Sequence, residues 1–257
     1  MKQYSVDAFT GEVFHGNQAA VCVPEHALTE TLMQNIAREN NYSETAFAVR
    51  RADGYDLRWF TPGGEINLCG HATLGTAYVL FRFYEPEAER LTFHTQSGDL
   101  YVTREGEALV MDFPAYACNK IPVTDEMAAV MGARPRAAYI DRDLLLVYDD
   151  EQTVRTLAPD FARMAALPGL GVGVTAPGRD YDCVSRFFAP KLGVDEDPVT
   201  GSVHCMIAPY WCRRLGKSSL RAYQASSRGG ELRCKSKKGR VLLAGRAALY
   251  AISELYV

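Results

Sequence analysis

The chain has 257 residues, of which 47% are hydrophobic and 23% charged, and a formal net charge of −3. That balance belongs to a folded globular protein with room for one large domain or two ordinary ones, and it excludes a disordered or low-complexity chain. So small a negative charge sets up no field toward nucleic acid or an anionic membrane, and neither is expected as a partner.

The N-terminal residues, Met1-Lys2-Gln3-Tyr4-Ser5-Val6-Asp7, lack the apolar stretch of a secretory signal. The densest apolar run, residues 144–148, is far too short to span a bilayer. Seven cysteines, an odd number without CxxC spacing, point to reduced thiols and a cytoplasmic protein. The basic piece Arg233-Cys234-Lys235-Ser236-Lys237-Lys238 is short, precedes Gly239, and reads as a solvated hairpin turn.

In chain order, residues 3–8 and 19–23 read as neighbouring strands around a loop containing Gly16-Asn17. Gly16 and Asn17 tolerate left-handed backbone angles, and Asn17 offers both a donor and an acceptor. Thr29 is a reasonable N-cap for a helix with Leu32, Met33, Ile36 and Ala37 on one face, ending near Asn40-Asn41. Residues 42–49 enter a mostly apolar strand, in which Glu44 is either a solvent-facing acid or a group held at a cleft. Residues 55–60 form the next strand. A Gly/Pro-rich turn then leads into Cys69-Gly70-His71 and an apolar helix over 72–83. A helix with so little polar surface is expected inside a sheet rather than on a surface. Strands follow at 91–94, 100–103 and 109–113, with His94 read as structural.

Residues 115–121 read as a connector. Beyond it a helix is expected at 125–131, strands at 137–140 and 144–148, a helix at 159–166 and a Gly-rich strand at 169–175. Arg186-Phe187-Phe188-Ala189-Pro190 then echoes Arg58-Trp59-Phe60-Thr61-Pro62, 128 residues earlier. After each proline comes an acid-bearing loop and a glycine opening an apolar helix, Gly70 in one copy and Gly201 in the other, the second helix covering 202–215. A repeat of half the chain means two similar domains, and the expected division is 1–113 and 114–257, the last strand being free to return to the first domain. If a pseudo-two-fold relates them, both helix N-termini meet at an interdomain cleft, where their unpaired N–H groups suit a carboxylate. His204 reads as a satisfied residue of the second helix.

Taken together, Asp7-Ala8-Phe9-Thr10, Gly16-Asn17-Gln18-Ala19-Ala20-Val21, Ser43-Glu44-Thr45-Ala46-Phe47, Cys69-Gly70-His71-Ala72-Thr73, Met111-Asp112-Phe113-Pro114 and Asp197-Pro198-Val199-Thr200-Gly201-Ser202 resemble the PhzF family. These are phenazine-biosynthesis-like isomerases with the diaminopimelate epimerase fold. The resemblance implies an α+β protein of two pseudo-symmetric domains, each a mixed sheet rolled into a barrel around a central helix. It implies a cofactor-independent proton shift on a small carboxylate-bearing substrate, with Glu44 as general acid/base and His71 and Asp197 assisting. Asn17, Cys69, Gly70, Gly201 and Ser202 fall where substrate would bind. No metal is implied, and relatives of this kind tend to be homodimers.

The resemblance departs from diaminopimelate epimerases in the thiols: Cys69 matches the first of their paired cysteines, but Pro198 stands at the second. A two-thiol racemase is therefore disfavoured. A one-thiol racemase using Cys69 stays open, as does a non-catalytic or regulatory binding protein with the same fold. A zinc site from Cys69, His71, His204 and Cys205 has the wrong spacing for structural zinc.

Overall fold

The computed structural model describes residues 1–257. The chain divides into two compact units: Met1–Asp112 together with Ala244–Val257, and Phe113–Leu243.

The first unit begins with β1 (Lys2–Ala8) and β2 (Asn17–Cys22), antiparallel to each other, and α1 (Glu30–Asn40). Thr29 Oγ1 caps α1 by accepting from the Leu32 N–H at 3.3 Å, and Asn41 closes it in the left-handed conformation. β3 (Glu44–Arg51) runs parallel to β2 and antiparallel to β4 (Gly54–Thr61). The turn after Pro62 carries a short strand, β5 (Gly64–Ile66), where only loop was expected. Then come α2 (Gly70–Phe83), β6 (Arg90–Thr95) parallel to β4, β7 (Gly98–Glu105) and β8 (Ala108–Pro114). Ten residues of α2 are buried on all sides, because β1, β2 and β3 wrap it. A helix without a polar stripe has no other stable place.

The second unit holds β9 (Asn119–Ile121), α3 (Asp125–Met131), β10 (Ala137–Ile140), β11 (Leu144–Val147), α4 (Glu151–Thr156), α5 (Phe161–Met164), β12 (Val172–Pro177), β13 (Cys183–Ala189), β14 (Val194–Glu196), α6 (Gly201–Leu215), β15 (Ser219–Gln224), β16 (Gly230–Lys237) and β17 (Arg240–Gly245). β18 (Ala247–Glu254) returns to the first unit. It belongs there because it pairs with β1 over the whole of that strand.

The two units repeat one strand pattern. In the first, β18, β1, β2, β3, β4, β6 and β7 are neighbours in that order, with β2–β3 and β4–β6 parallel and the other pairs antiparallel. In the second, β9, β10, β11, β12, β13, β15 and β16 follow the same sequence of directions, with β11–β12 and β13–β15 parallel. The echoed arginines mark equivalent places. Arg58 grips Glu65 through two bonds of 2.6 Å, and Arg186 grips Glu196 through bonds of 2.7 and 2.8 Å. Each guanidinium also lies over a phenylalanine two residues on, Phe60 and Phe188. A planar fork that matches a carboxylate and stacks on an aromatic ring is a task for arginine rather than lysine.

Several expectations need correction. Residues 115–121 are not all connector, since the last three pair with β10 as β9. The helix expected at 159–166 is a single turn capped by Asp160, and α4, capped by Asp150, precedes it unforeseen. The basic piece 233–238 lies mostly in β16, where Leu232 and Cys234 point inward and Arg233 and Lys235 point to solvent. Strand alternation therefore explains its charge better than a turn does. His94 is structural and does have partners: Nδ1 lies 2.8 Å from Asp99 Oδ1, and Nε2 lies 3.3 Å from Asp53 Oδ1.

α6 contains Pro209, whose missing N–H would leave the carbonyl of Cys205, four residues back, without its helical partner. The backbone N–H of Tyr116 donates to that carbonyl at 3.0 Å, and Cys118 Sγ lies 3.4 Å from the next one, that of Met206. The connector thereby completes the helix.

Candidate active site

Three strand and helix ends of the first unit converge. Gly16, with φ of +64°, turns the chain into β2, and a Cβ there would stand 2.1 Å from the Ala8 carbonyl oxygen, so no other residue fits. Asn17 follows as the first, fully buried residue of β2. Glu44 opens β3 in parallel register with Ala19, its side chain 14% exposed. Cys69 is the extended residue just before α2, and Gly70 and His71 are the first two residues of the helix.

His71 is the hub. Its Nε2 lies 2.9 Å from Glu44 Oε2, its Nδ1 lies 3.1 Å from Asn17 Nδ2, and the Cys69 thiol stands 3.5 Å from Nδ1. Burial opposes a charged imidazole here, but the facing groups outweigh it, the Cys69 sulfur as a hydrogen-bond partner and Glu44 as an opposing carboxylate, and raise the His71 pKa well above the ordinary imidazole value. For the thiol, burial leads and the Glu44 charge adds to it, so Cys69 keeps its proton more firmly than a free cysteine. A neutral imidazole would accept from the Asn17 amide nitrogen. An imidazolium needs the amide turned so that its oxygen faces Nδ1–H, and Asn17 can present either end.

The arrangement is a carboxylate held by an imidazole at the first turn of a buried helix. The first helical carbonyl acceptor, that of Cys69, takes both the N–H and the hydroxyl of Thr73, so the N–H groups of Gly70, His71 and Ala72 precede the helix's own bonding. Those groups and the helix dipole favour an anion. The site therefore sets a carboxylate–imidazole pair beside N–H groups that favour a small anion.

In the second unit Asp197, Gly201 and Ser202 sit around the start of α6. Thr200 precedes the helix and donates its hydroxyl to Asp197 Oδ2. Gln224, at the end of β15 and fully buried, accepts from the Thr200 N–H at 2.9 Å and donates to the Asp197 carbonyl at 2.7 Å. Asp197 N–H in turn donates to the Phe187 carbonyl at 3.0 Å. This bracing through Gln224 and Thr200 was not foreseen. A glutamine in a strand looks ordinary in sequence, and only the strand register brings it under the loop.

His204, one turn into α6, is fully buried; its Nδ1–H donates to the Thr200 carbonyl at 2.7 Å, and its Nε2 lies 3.3 Å from Ser185 Oγ. Both nitrogens are occupied within its own unit, as the reading of a satisfied residue expected. Burial pushes its pKa down to about 4. Cys205 lies against the Gly201 carbonyl. Neither residue is needed to explain His71 or Cys69, and all seven cysteines are free thiols.

A twice-repeated mixed sheet around a buried helix, with ionisable groups at the helix start, defines a protein of the epimerase fold. The model of the phenazine biosynthesis-like protein family, PhzC-PhzF, matches residues 6–252, and the chain belongs to that family. A Pseudomonas aeruginosa protein named as an uncharacterized isomerase is 51% identical over 253 residues, covering 98% of this chain and 97% of the relative. The crystal structure of a PhzF-family protein from Enterococcus faecalis is 51% identical, with a TM-score of 0.98 over 100% of this chain and 99% of that one. A probable proline racemase from Agrobacterium radiobacter, 12% identical, superposes with a TM-score of 0.62 over 100% of this chain and 93% of that one, which shows a shared fold.

Proposed function

We propose that this protein is an isomerase that moves a proton on a small carboxylate-bearing molecule, using its own side chains and no cofactor. The observation that carries this is the buried Glu44–His71 pair, 2.9 Å apart, at the anion-favouring start of α2. Its relatives support the class, since the Pseudomonas protein above carries the name isomerase.

In this reading the substrate carboxylate lies on the N–H groups that begin at Gly70, with the Asn17 side chain alongside. Glu44 takes a proton from an activated carbon of the substrate and returns it at another position of the same molecule. His71 holds the Glu44 carboxylate in orientation and stabilises its charged form before the first step and after the second, when it is without the proton. Asp197, with Gly201 and Ser202, has the assisting and anion-holding part in the second unit. A homodimer in the cytoplasm completes the proposal, with light scattering on the purified protein as the check on assembly. No helix is long and apolar enough to cross a membrane.

The test is proton exchange. A panel of small amino and cyclohexadienyl acids in deuterated water, followed by NMR, should include at least one whose carbon-bound hydrogen is exchanged or moved by the protein. Exchange that persists undiminished in Glu44→Gln would refute the assignment, and no exchange across the panel would favour a binding protein. A second reading has one observation behind it: the Cys69 thiol lies 3.5 Å from His71 Nδ1, close enough to be a one-thiol acid/base. Cys69→Ser separates the two, because a mechanism centred on Glu44 keeps most of its rate and a thiol mechanism does not.

A further inference from the structure

We propose that Glu44, Cys69 and His71 form a seat for one thiophilic divalent cation, of the class of zinc or cadmium, and that such a cation shuts the site. The three side chains each offer a ligand atom, and these atoms lie within 4.8 Å of one another. A carboxylate, an imidazole and a thiol are a donor set that suits zinc and its neighbours and not magnesium or calcium.

The geometry selects which imidazole nitrogen takes the metal. Nε2 lies 2.9 Å from Glu44 Oε2 and 4.0 Å from Cys69 Sγ. Tetrahedral zinc, with bonds of about 2.0 to 2.3 Å, needs its nitrogen and oxygen ligands about 3.3 Å apart and its nitrogen and sulfur ligands about 3.5 Å apart. Glu44 already faces Nε2, but the sulfur is nearer Nδ1, at 3.5 Å, so a cation shared at Nε2 requires the Cys69 thiol to turn toward Glu44 by more than an ångström. The Glu44 carboxylate, 14% exposed at the head of its strand, lies within 4.8 Å of that sulfur, so the two can close on one ion.

Nδ1 is left over, and it faces the Asn17 amide at 3.1 Å. A metal-bound histidine usually donates its second N–H to a fixed acceptor, which sets the ring's orientation and tautomer. Asn17, fully buried and able to turn its oxygen to Nδ1, provides that acceptor. Three protein ligands leave a fourth position open to water or an anion, as in zinc sites that are not purely structural. The cation takes the Nε2 and Oε2 atoms on which the proposed proton transfer depends, so its effect is inhibition. That consequence, unlike the binding itself, rests on the function proposed above.

Chelator-treated full-length protein, titrated with zinc alone by calorimetry and by dialysis with metal analysis, should bind one equivalent with micromolar or tighter affinity. Cobalt at the same site should give a thiolate charge-transfer band. Cys69→Ser should abolish that band and weaken zinc by about tenfold or more, and Glu44→Gln should weaken zinc comparably. Cys118→Ser, altering the cysteine least enclosed in the chain, should change nothing, and excess magnesium should not compete. Wild-type protein that binds no zinc overturns the proposal. So does zinc bound equally by Cys69→Ser, including zinc lost instead in His94→Asn, which would place it on the exposed Asp53–His94–Asp99 cluster. The two claims fail separately. Zinc bound as described, with exchange unaffected by Glu44→Gln, sinks the catalytic reading alone; exchange dependent on Glu44, without zinc binding, sinks the metal site alone.

Discussion

The beginnings of α2 and α6 are the same piece of architecture put to different uses. Both follow an arginine–carboxylate clamp, both open on glycine after an extended residue, and both start a helix that its sheet buries. At α2 the added groups are ionisable and paired, Glu44 with His71. At α6 the histidine is neutral, and hydrogen bonds through Thr200 and Gln224 fix the loop. Register explains why the second unit has no counterpart of Glu44. Thr45 pairs with Phe60 and Val172 with Phe188, the echoed phenylalanines, so the residue before Val172, Gly171, occupies the place of Glu44. A Cβ at Gly171 would lie 2.2 Å from Phe187 Cζ. The fold has two such helix starts, and packing leaves a carboxylate beside only one of them.

The sharpest way to break this contrast is to remove the acid. Glu44→Gln should lower the rate of proton exchange by about a thousandfold while the thermal midpoint stays close to wild type, and Asp197→Asn should cost distinctly less. If Asp197→Asn proves the more severe, the acid/base centre has been assigned to the wrong unit.

Next in size is the pH response of the two histidines. The folded pKa of His204 lies at about 4, below the ordinary 6.5. Its contribution to stability is therefore complete above pH 6.5, is lost as pH falls toward 4, and amounts to about 3 kcal/mol over that window. His71 has the opposite sign: its folded pKa is raised, so its contribution is complete below 6.5 and is lost as pH rises through the folded value. Denaturant unfolding at pH 7 and pH 5 should show the acid loss, and His204→Gln should flatten it without altering the alkaline limb.

Filling the place of Glu44 in the second unit is a smaller perturbation. Gly171→Ala should destabilise by about 2 kcal/mol through the displaced Phe187 ring, and urea unfolding would measure it. The arginine clamps give the finest distinction. Arg186, 12% exposed, also donates to the Val154 and Leu157 carbonyls, whereas Arg58 is 33% exposed. Arg186→Lys should therefore cost about 1 kcal/mol more than Arg58→Lys in the same measurement. Equal costs would mean that the extra carbonyl contacts contribute nothing.

Sequence made the architecture legible because the arginine-to-proline echo and the two glycine-opened helices are local signals repeated in order. The all-apolar helix at 72–83 likewise announced its own burial. Glu44 was ambiguous locally, since a carboxylate at a strand start is commonplace; the Ser-Glu-Thr motif singled it out, and the structure then placed it against His71. Gln224 and Asp143 stayed invisible for a physical reason. The buried Asp143 carboxylate accepts from the Gly171 N–H at 3.1 Å, a contact made by chain segments 28 residues apart. Buried polar groups of this sort are chosen by long-range register, which no local pattern encodes. The short elements α4 and β5 were missed because six or three residues carry too little periodicity to register.

The proline inside α6 has a consequence for how the second unit comes together. Because Cys205 can find its partner only in the N–H of Tyr116, the helix cannot complete its bonding from its own residues. A chain cut to begin after Tyr116 would bury that carbonyl unmet, at about 1 to 3 kcal/mol. One hydrogen bond thus ties the head of the unit to its centre, across nearly ninety positions of sequence.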